Sequence, residues 1–161
     1  FEAAGYSDDP ALVADALKYI ENIKKDSSIE AFANGKSTLT SDNIIAYASD
    51  FLGTPYVWGG TSPKPGFDCS GFVQYIYEHF GVHIGRTTYD QIKDGTEVSL
   101  DKLKPGDLVF FGTKQDPHHV GMYIGFGAYI HAPHTGDFIK ISPLNRSDYL
   151  TARRVMQLSE K

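Results

Sequence analysis

The only cysteine in this 161-residue chain, Cys69, and its six histidines are the side chains best suited to nucleophilic and proton-transfer chemistry. A lone cysteine cannot close an internal disulfide, so its neighbours indicate what it is for. It follows the loop-forming run Pro63-Lys64-Pro65-Gly66 and opens an apolar series at helical spacing, Phe72, Val73, Ile76, Tyr77 and Phe80, that stops at Gly81. The pattern predicts a loop and then a helix over about 69 to 80, with Asp68 as N-cap and Cys69 in the first turn. At that position the unpaired N–H groups and the positive end of the helix dipole favour the thiolate and raise its nucleophilicity. The competing expectation is a small buried residue at a helix start, because free cysteines are commonly buried.

A cysteine nucleophile needs a base within hydrogen-bond reach, and the base needs a third group to orient it. His79 lies at the far end of the predicted helix, too far along the rise to meet Cys69, and His83 lies just beyond it. His118, His119, His131 and His134 fall in or beside one predicted hairpin. If Gly125-Phe126-Gly127 is a loop centred on Phe126, His119 and His131 share a face as diagonal neighbours and His118 points the other way. A two-residue turn would separate the two rings unless a bulge compensated. Gly121, beside His119, would leave room for a packed helix or an approaching thiol. The assignment that follows is Cys69 as nucleophile, His119 as general base and acid, and His131 as orienting group. A zinc site on Cys69, His119, His131 and His134 is the weaker alternative, since no ligand spacing typical of zinc sites is present. Structural histidines around an inert cysteine remain the third.

These residues need elements to hold them. Asp9-Pro10 and the stripe Leu12, Val13, Ala16, Leu17, Ile20, Ile23 predict a helix over about 10 to 25, followed by a polar linker to residue 40. A second helix, about 42 to 52, begins a main domain of residues 41–161. Thr88 and Gln91 have capping-box spacing and predict a short helix before Gly95. Beyond it the apolar period changes to two, with short strands at Leu108–Phe111, Val120–Ile124, Ala128–Ala132, Phe138–Ile141 and Ala152–Met156. Helices followed by consecutive strands predict an α+β fold with an antiparallel sheet of about five strands.

Composition narrows the function further. A hydrophobic content of 41% in 161 residues supports one good core. The net charge of -5, with no basic cluster beyond Lys24-Lys25 and Arg153-Arg154, argues against nucleic acid as a partner. No apolar run is long enough to span a membrane, and none near the start resembles a signal peptide. A single cysteine leaves the redox compartment open.

The residues also resemble a known family. Tyr56-Val57-Trp58-Gly59-Gly60, Asp68-Cys69-Ser70-Gly71-Phe72, Arg86-Thr87-Thr88 with Gln91, Leu103 to Phe111, His119-Val120-Gly121 and Ile130-His131-Ala132 are similar, in that order, to the motifs of the NlpC-type cell-wall cysteine peptidases. The resemblance implies a papain-like fold with the nucleophile helix packed on the sheet. It implies hydrolysis of peptidoglycan stem peptides, usually between D-isoglutamate and the diamino acid that follows, without metal or cofactor. By position, Cys69, His119 and His131 match the family's nucleophile, base and third polar residue. Tyr56 matches a tyrosine that assists the oxyanion, and Asp68 and Ser70 match residues that hold the terminal amine of L-alanine. Arg86 matches an arginine whose role is pairing or contact with a substrate carboxylate. Trp58 is expected in the core. The resemblance further implies a secreted or wall-associated protein, monomeric or tethered to another wall domain, with residues 1–40 as a junction. An amidase or acyltransferase on the same fold, and a catalytically idle wall-binding module, are the rival readings.

Overall fold

The computed structural model describes residues 10–25 and 40–156. The expected linker therefore lies outside the described residues. Among the described residues, four α-helices, α1 (Pro10–Ile23), α2 (Ser41–Ser49), α3 (Cys69–His79) and the single turn α4 (Thr88–Gln91), and one short 3-10 turn (Leu100–Lys102) accompany eight strands. The strands are β1 (Thr61–Ser62), β2 (Gly66–Phe67), β3 (Thr96–Val98), β4 (Leu108–Phe111), β5 (His119–Gly125), β6 (Ala128–His131), β7 (Lys140–Pro143) and β8 (Tyr149–Arg154). β1 and β2 form a small ribbon, and the other six make one antiparallel sheet in the order β3-β8-β4-β5-β6-β7. The sheet has one strand more than expected. The extra strand, β3, is a three-residue edge strand, too short to show a period.

Alternating strand residues build two cores. Leu108, Phe110, Val120, Met122, Ile124 and Ile130 join Phe72, Val73 and Ile76 of α3 and Ile44 and Ile45 of α2 on one face. Val109, Phe111, Tyr129 and Ala152 are buried on the other, under Leu103, Tyr123, Leu144 and Tyr149. A strand buried on both faces reads as a continuous apolar run, which is why Leu108–Phe111 lacks polar alternation.

Helix α1 is part of this packing. Ala16, Ile20 and Ile23 enter the first core, Tyr19 donates to Asp42 Oδ1 at 3.0 Å, and Lys24 pairs with Asp50 at 2.6 Å. It rests on α2, β6 and β7. Among the described residues, no helix is long and apolar enough to cross a membrane.

Several expected boundaries move, the last strand from 152–156 to Tyr149–Arg154 among them, and two do so for identifiable reasons. Phe138 and Ile139 precede β7 because they pair with Thr54 and Pro55: Ile139 N–H donates to Thr54 O at 2.8 Å and Gly53 N–H to Ile139 O at 2.9 Å. The cap of α4 is Thr87, whose hydroxyl accepts from Asp90 N–H, rather than Thr88. Gln91 does not close a capping box. Its amide instead donates to Ser70 O at 3.0 Å and Gly85 O at 2.8 Å, tying α4 to the start of α3.

Candidate active site

Cys69 is the first residue of α3, and Asp68 caps the helix by accepting the Gly71 N–H at 2.7 Å. The loop carrying Tyr56 and Trp58 lies directly on this helix start. Asp68 N–H donates to Gly60 O at 3.1 Å, and a Cβ on Gly71 would overlap that same carbonyl. Only glycine permits so close an approach. Tyr56 itself is held from both sides, by a bridge to Phe67 and by its N–H donating to Asp137 O at 3.0 Å.

Helix α3 packs on β5, and the Val120 backbone lends the Cys69 thiolate some support. Val120 follows His119, the first residue of β5. The cysteine and histidine picked out by spacing are thereby brought to one end of one strand. His119 Nε2 lies 2.8 Å from His131 Nδ1, and His131 Nε2 lies 2.9 Å from Ser142 Oγ. All three are buried. The hairpin register that aligns the rings has a different origin from the simple centred loop. Gly125 pairs with Ala128 around a two-residue turn, Phe126 (φ 60°) and Gly127 (φ 73°), and a bulge between Tyr123 and Gly125 restores the pairs Tyr123↔Tyr129 and Met122↔Ile130. Such a turn is the ordinary two-residue hairpin form, and the extra residue in the bulge shifts the parity back.

Gly121 plays another part than the one expected. A Cβ there would stand 2.6 Å from Tyr129 Cδ2 and 3.1 Å from His131 Cβ. The gap in β5 is therefore filled by Tyr129 and His131, not by the thiol. The Tyr129 ring lies 4.3 Å from the His131 ring and fixes its plane.

Electrostatics also modifies the reading. Burial pushes the Cys69 thiol up to about 11, against the pull of the Val120, Ser70 and Cys69 N–H groups, with Asp68 adding to the rise. Helix position favours the thiolate as expected, but desolvation outweighs it. Burial pushes His119 down to about 3, helped by the charges of Arg146, His118 and His134. Burial lowers His131 well below its ordinary value too, followed by His119 and Arg146. At neutral pH the thiol and the imidazole are thus both neutral in the free protein. Tyr56 is raised to about 12, by burial first and then by Cys69 and Asp68, with Arg86 opposing, so it stays a phenol able to donate.

A cleft of about 620 Å³ opens over Cys69, lined by Tyr56, Trp58, Asp68, Ser70, Arg86, Tyr89, Asp116 and His118. Trp58 is 85% exposed in its wall, so it is no core residue. Arg86 is engaged with its neighbours: Nη2 meets Asp68 Oδ2 at 2.9 Å, while Nη1 donates to Asp68 Oδ1 at 3.2 Å and Ser70 Oγ at 3.0 Å. Of its two expected roles, pairing is the one its contacts serve. The Tyr89 hydroxyl and the Asp116 carboxylate bond across one end of the cleft.

The remaining histidines take other side-chain or backbone partners, His118 from the lining of the cleft. His79 stacks on Tyr47 at 3.9 Å, His83 pairs with Glu78, His118 lies 3.7 Å from Asp148, and His134 contacts the Thr135 carbonyl. Among the described residues no three His, Cys, Asp or Glu side chains are grouped to hold a metal. Ser142 was not foreseen. It sits one residue past the end of the strand read at Phe138–Ile141, and only the true register of β7 turns it toward His131. Arg146, whose guanidinium lies 4.5 Å over the Phe111 ring behind His119, was likewise invisible without the fold.

Residues 53–158 match the model of the NlpC/P60 family. A gamma-D-glutamyl-L-lysine dipeptidyl-peptidase of Bacillus cereus is 41% identical over 130 residues, covering 79% of this chain and 39% of that protein. The murein DD-endopeptidase MepH of Escherichia coli is 43% identical over 114 residues, covering 65% of this chain and 42% of its own length. Among solved structures, the NlpC/p60 domain of the peptidoglycan hydrolase SagA superposes with a TM-score of 0.67 and 40% identity, covering 72% of this chain and 99% of that one. The chain spans about two fifths of the length of the two curated relatives.

Proposed function

The chain belongs to the NlpC/P60 family, and we propose that it is a cysteine endopeptidase that cuts peptidoglycan stem peptides at the bond between D-isoglutamate and the diamino acid. The observation that carries this reading is the junction of α3 and β5: a thiol at the start of a helix packed on the strand that His119 begins, with that buried imidazole oriented by a second one.

In this reading His119 accepts the Cys69 proton at Nδ1, the ring nitrogen not engaged with His131, and the sulfur attacks the amide carbonyl. The Cys69 N–H and the Tyr56 hydroxyl donate to the oxyanion. His119 returns the proton to the departing amine of the diamino acid, leaving a thioester on Cys69. It then deprotonates the water that hydrolyses the thioester. No step needs a metal or an organic cofactor.

The binding role of the cleft rests on charge and shape. Asp68 and Ser70 stand beside Cys69, where the ammonium of an N-terminal L-alanine can be neutralised, and Arg86 holds the Asp68 carboxylate in place. Trp58 offers an apolar wall to the peptide. A terminal amine in this position favours free stem peptides, with the scissile bond following the D-isoglutamyl residue. A substrate of this kind places the protein outside the cell or in the wall, alone or joined to another wall domain.

The test is mass spectrometry of a defined tetrapeptide stem, L-Ala-D-isoGlu-L-Lys-D-Ala, after digestion by the full chain. The expected products are L-Ala-D-isoGlu and L-Lys-D-Ala. Release of the terminal D-alanine, cleavage only at a lactyl amide of muropeptides, or no cleavage of either substrate would replace this reading with, respectively, another peptidase, an amidase, or a binding module.

A further inference from the structure

The histidine pair does not end at His131. Three side chains on one face of three adjacent strands form a line, His119 on β5, His131 on β6 and Ser142 on β7, with links of 2.8 and 2.9 Å. The register explains the line. Lys140 pairs directly with His131 and Tyr129 with Ser142, so Ser142 is diagonal to His131, just as His131 is diagonal to His119.

We infer that Ser142 is the positioning residue that selects the tautomer of His131, and through it the tautomer of His119. This rests on His119 acting as the base for Cys69. A neutral imidazole carries one N–H, so every link in the line is directional. If the Ser142 oxygen accepts from His131 Nε2–H, His131 Nδ1 is an acceptor. His119 must then donate from Nε2–H, and its Nδ1 lone pair is free to take the thiol proton. If the Ser142 hydroxyl instead donates to His131 Nε2, every link reverses. His119 Nδ1 then carries the proton and cannot act as base. A buried hydroxyl at this point therefore decides whether the site is ready, without touching substrate.

The surroundings hold the line in place. Tyr129 and Gly121 hold the His131 ring in place, so it cannot turn to exchange its nitrogens. The charged and titratable groups around the pair are Arg146 with Asp148, Lys140, His118 and His134. Burial first, and then the cations among them, disfavour a second proton on either ring at rest, so the resting pair holds neutral tautomers and His119 gains its second proton only from Cys69 during turnover. An alanine at 142 leaves a buried ring nitrogen with no hydroxyl to define its state, and a buried polar group without its partner is costly.

Nitrogen-15 NMR of the full chain labelled at histidine tests this directly, because the protonated and unprotonated ring nitrogens differ widely in shift. At neutral pH the wild-type protein should show His119 and His131 both as Nε2–H. Ser142→Ala should give mixed or reversed tautomers at both rings, with kcat on the tetrapeptide stem lowered about tenfold or more and KM little changed. Ser142→Thr, which keeps the hydroxyl, should restore the wild-type tautomers and most of kcat. An Nδ1–H form of His131 in the wild-type protein, or unchanged tautomers and kcat in Ser142→Ala, would overturn the inference. Tautomers that change as expected in a protein that cleaves no stem peptide would uphold the line of bonds and reject the peptidase reading instead.

Discussion

Cys69 is half-buried and His119 buried, and desolvation sets their resting charge. The thiol is raised to about 11 and the imidazole lowered to about 3, so proton transfer between them is uphill in the free protein. The proton moves when the carbonyl arrives and the oxyanion donors engage, which couples nucleophile formation to substrate binding. Iodoacetamide should therefore label Cys69 in the folded protein at pH 6 more slowly than in the same chain unfolded in guanidinium, with the folded rate still climbing above pH 9. A labelling rate already at its plateau below pH 6 would mean a resting thiolate–imidazolium pair. The lone cysteine, its helix position and the pairing of His119 with His131 were legible from residue type and spacing. The balance between helix dipole and desolvation was not, because burial is a property of the packed fold. Trp58 was misjudged for the same reason: an aromatic ring beside glycines reads equally well as core or as cleft wall.

At the scale of elements, the site is made by register. The β5–β6 hairpin puts His119 and His131 on one face only because a bulge corrects the parity of a two-residue turn, and β7 adds Ser142 by the same diagonal relation. Sequence parity therefore gave the right pair by way of an incomplete turn. The bulge adds no distinctive residue that would have announced it. Short strands paired to loops, such as Phe138–Ile139 against Thr54–Pro55, hide their boundaries likewise, since their partners lie far away in the chain. Gly121 is the sharpest probe of this level. Gly121→Ala should destabilise the fold by about 1–3 kcal/mol through overlap with Tyr129 and His131. Stem-peptide hydrolysis should fall much further than the folded fraction does, because His131 must move. Equal losses of folded protein and activity, measured by denaturant melts and initial rates on the same samples, would show that the glycine serves packing alone.

The described residues form a papain-like α+β domain in which the sheet is buried on both faces, and the histidine line lies inside it. That placement has a thermodynamic consequence. A histidine whose pKa is lower folded than unfolded lets the unfolded chain bind protons that the native state refuses. Its contribution is complete above the unfolded value near 6.5 and is lost as pH falls toward the folded value, about 3 for His119. His131 acts in the same direction. Stability should accordingly fall between pH 6.5 and 4 by as much as about 1.4 kcal/mol per pH unit for each ring, and replacing His131 by glutamine should flatten that slope. A slope unchanged by the substitution would place the acid sensitivity elsewhere. The most direct test of the account is to quench the full chain with acid during turnover of the tetrapeptide stem and weigh the protein. The wild type should carry an L-alanyl-D-isoglutamyl thioester confined to Cys69, and Cys69→Ala should fold, carry no adduct and hydrolyse nothing. Hydrolysis by Cys69→Ala at the wild-type rate would contradict it.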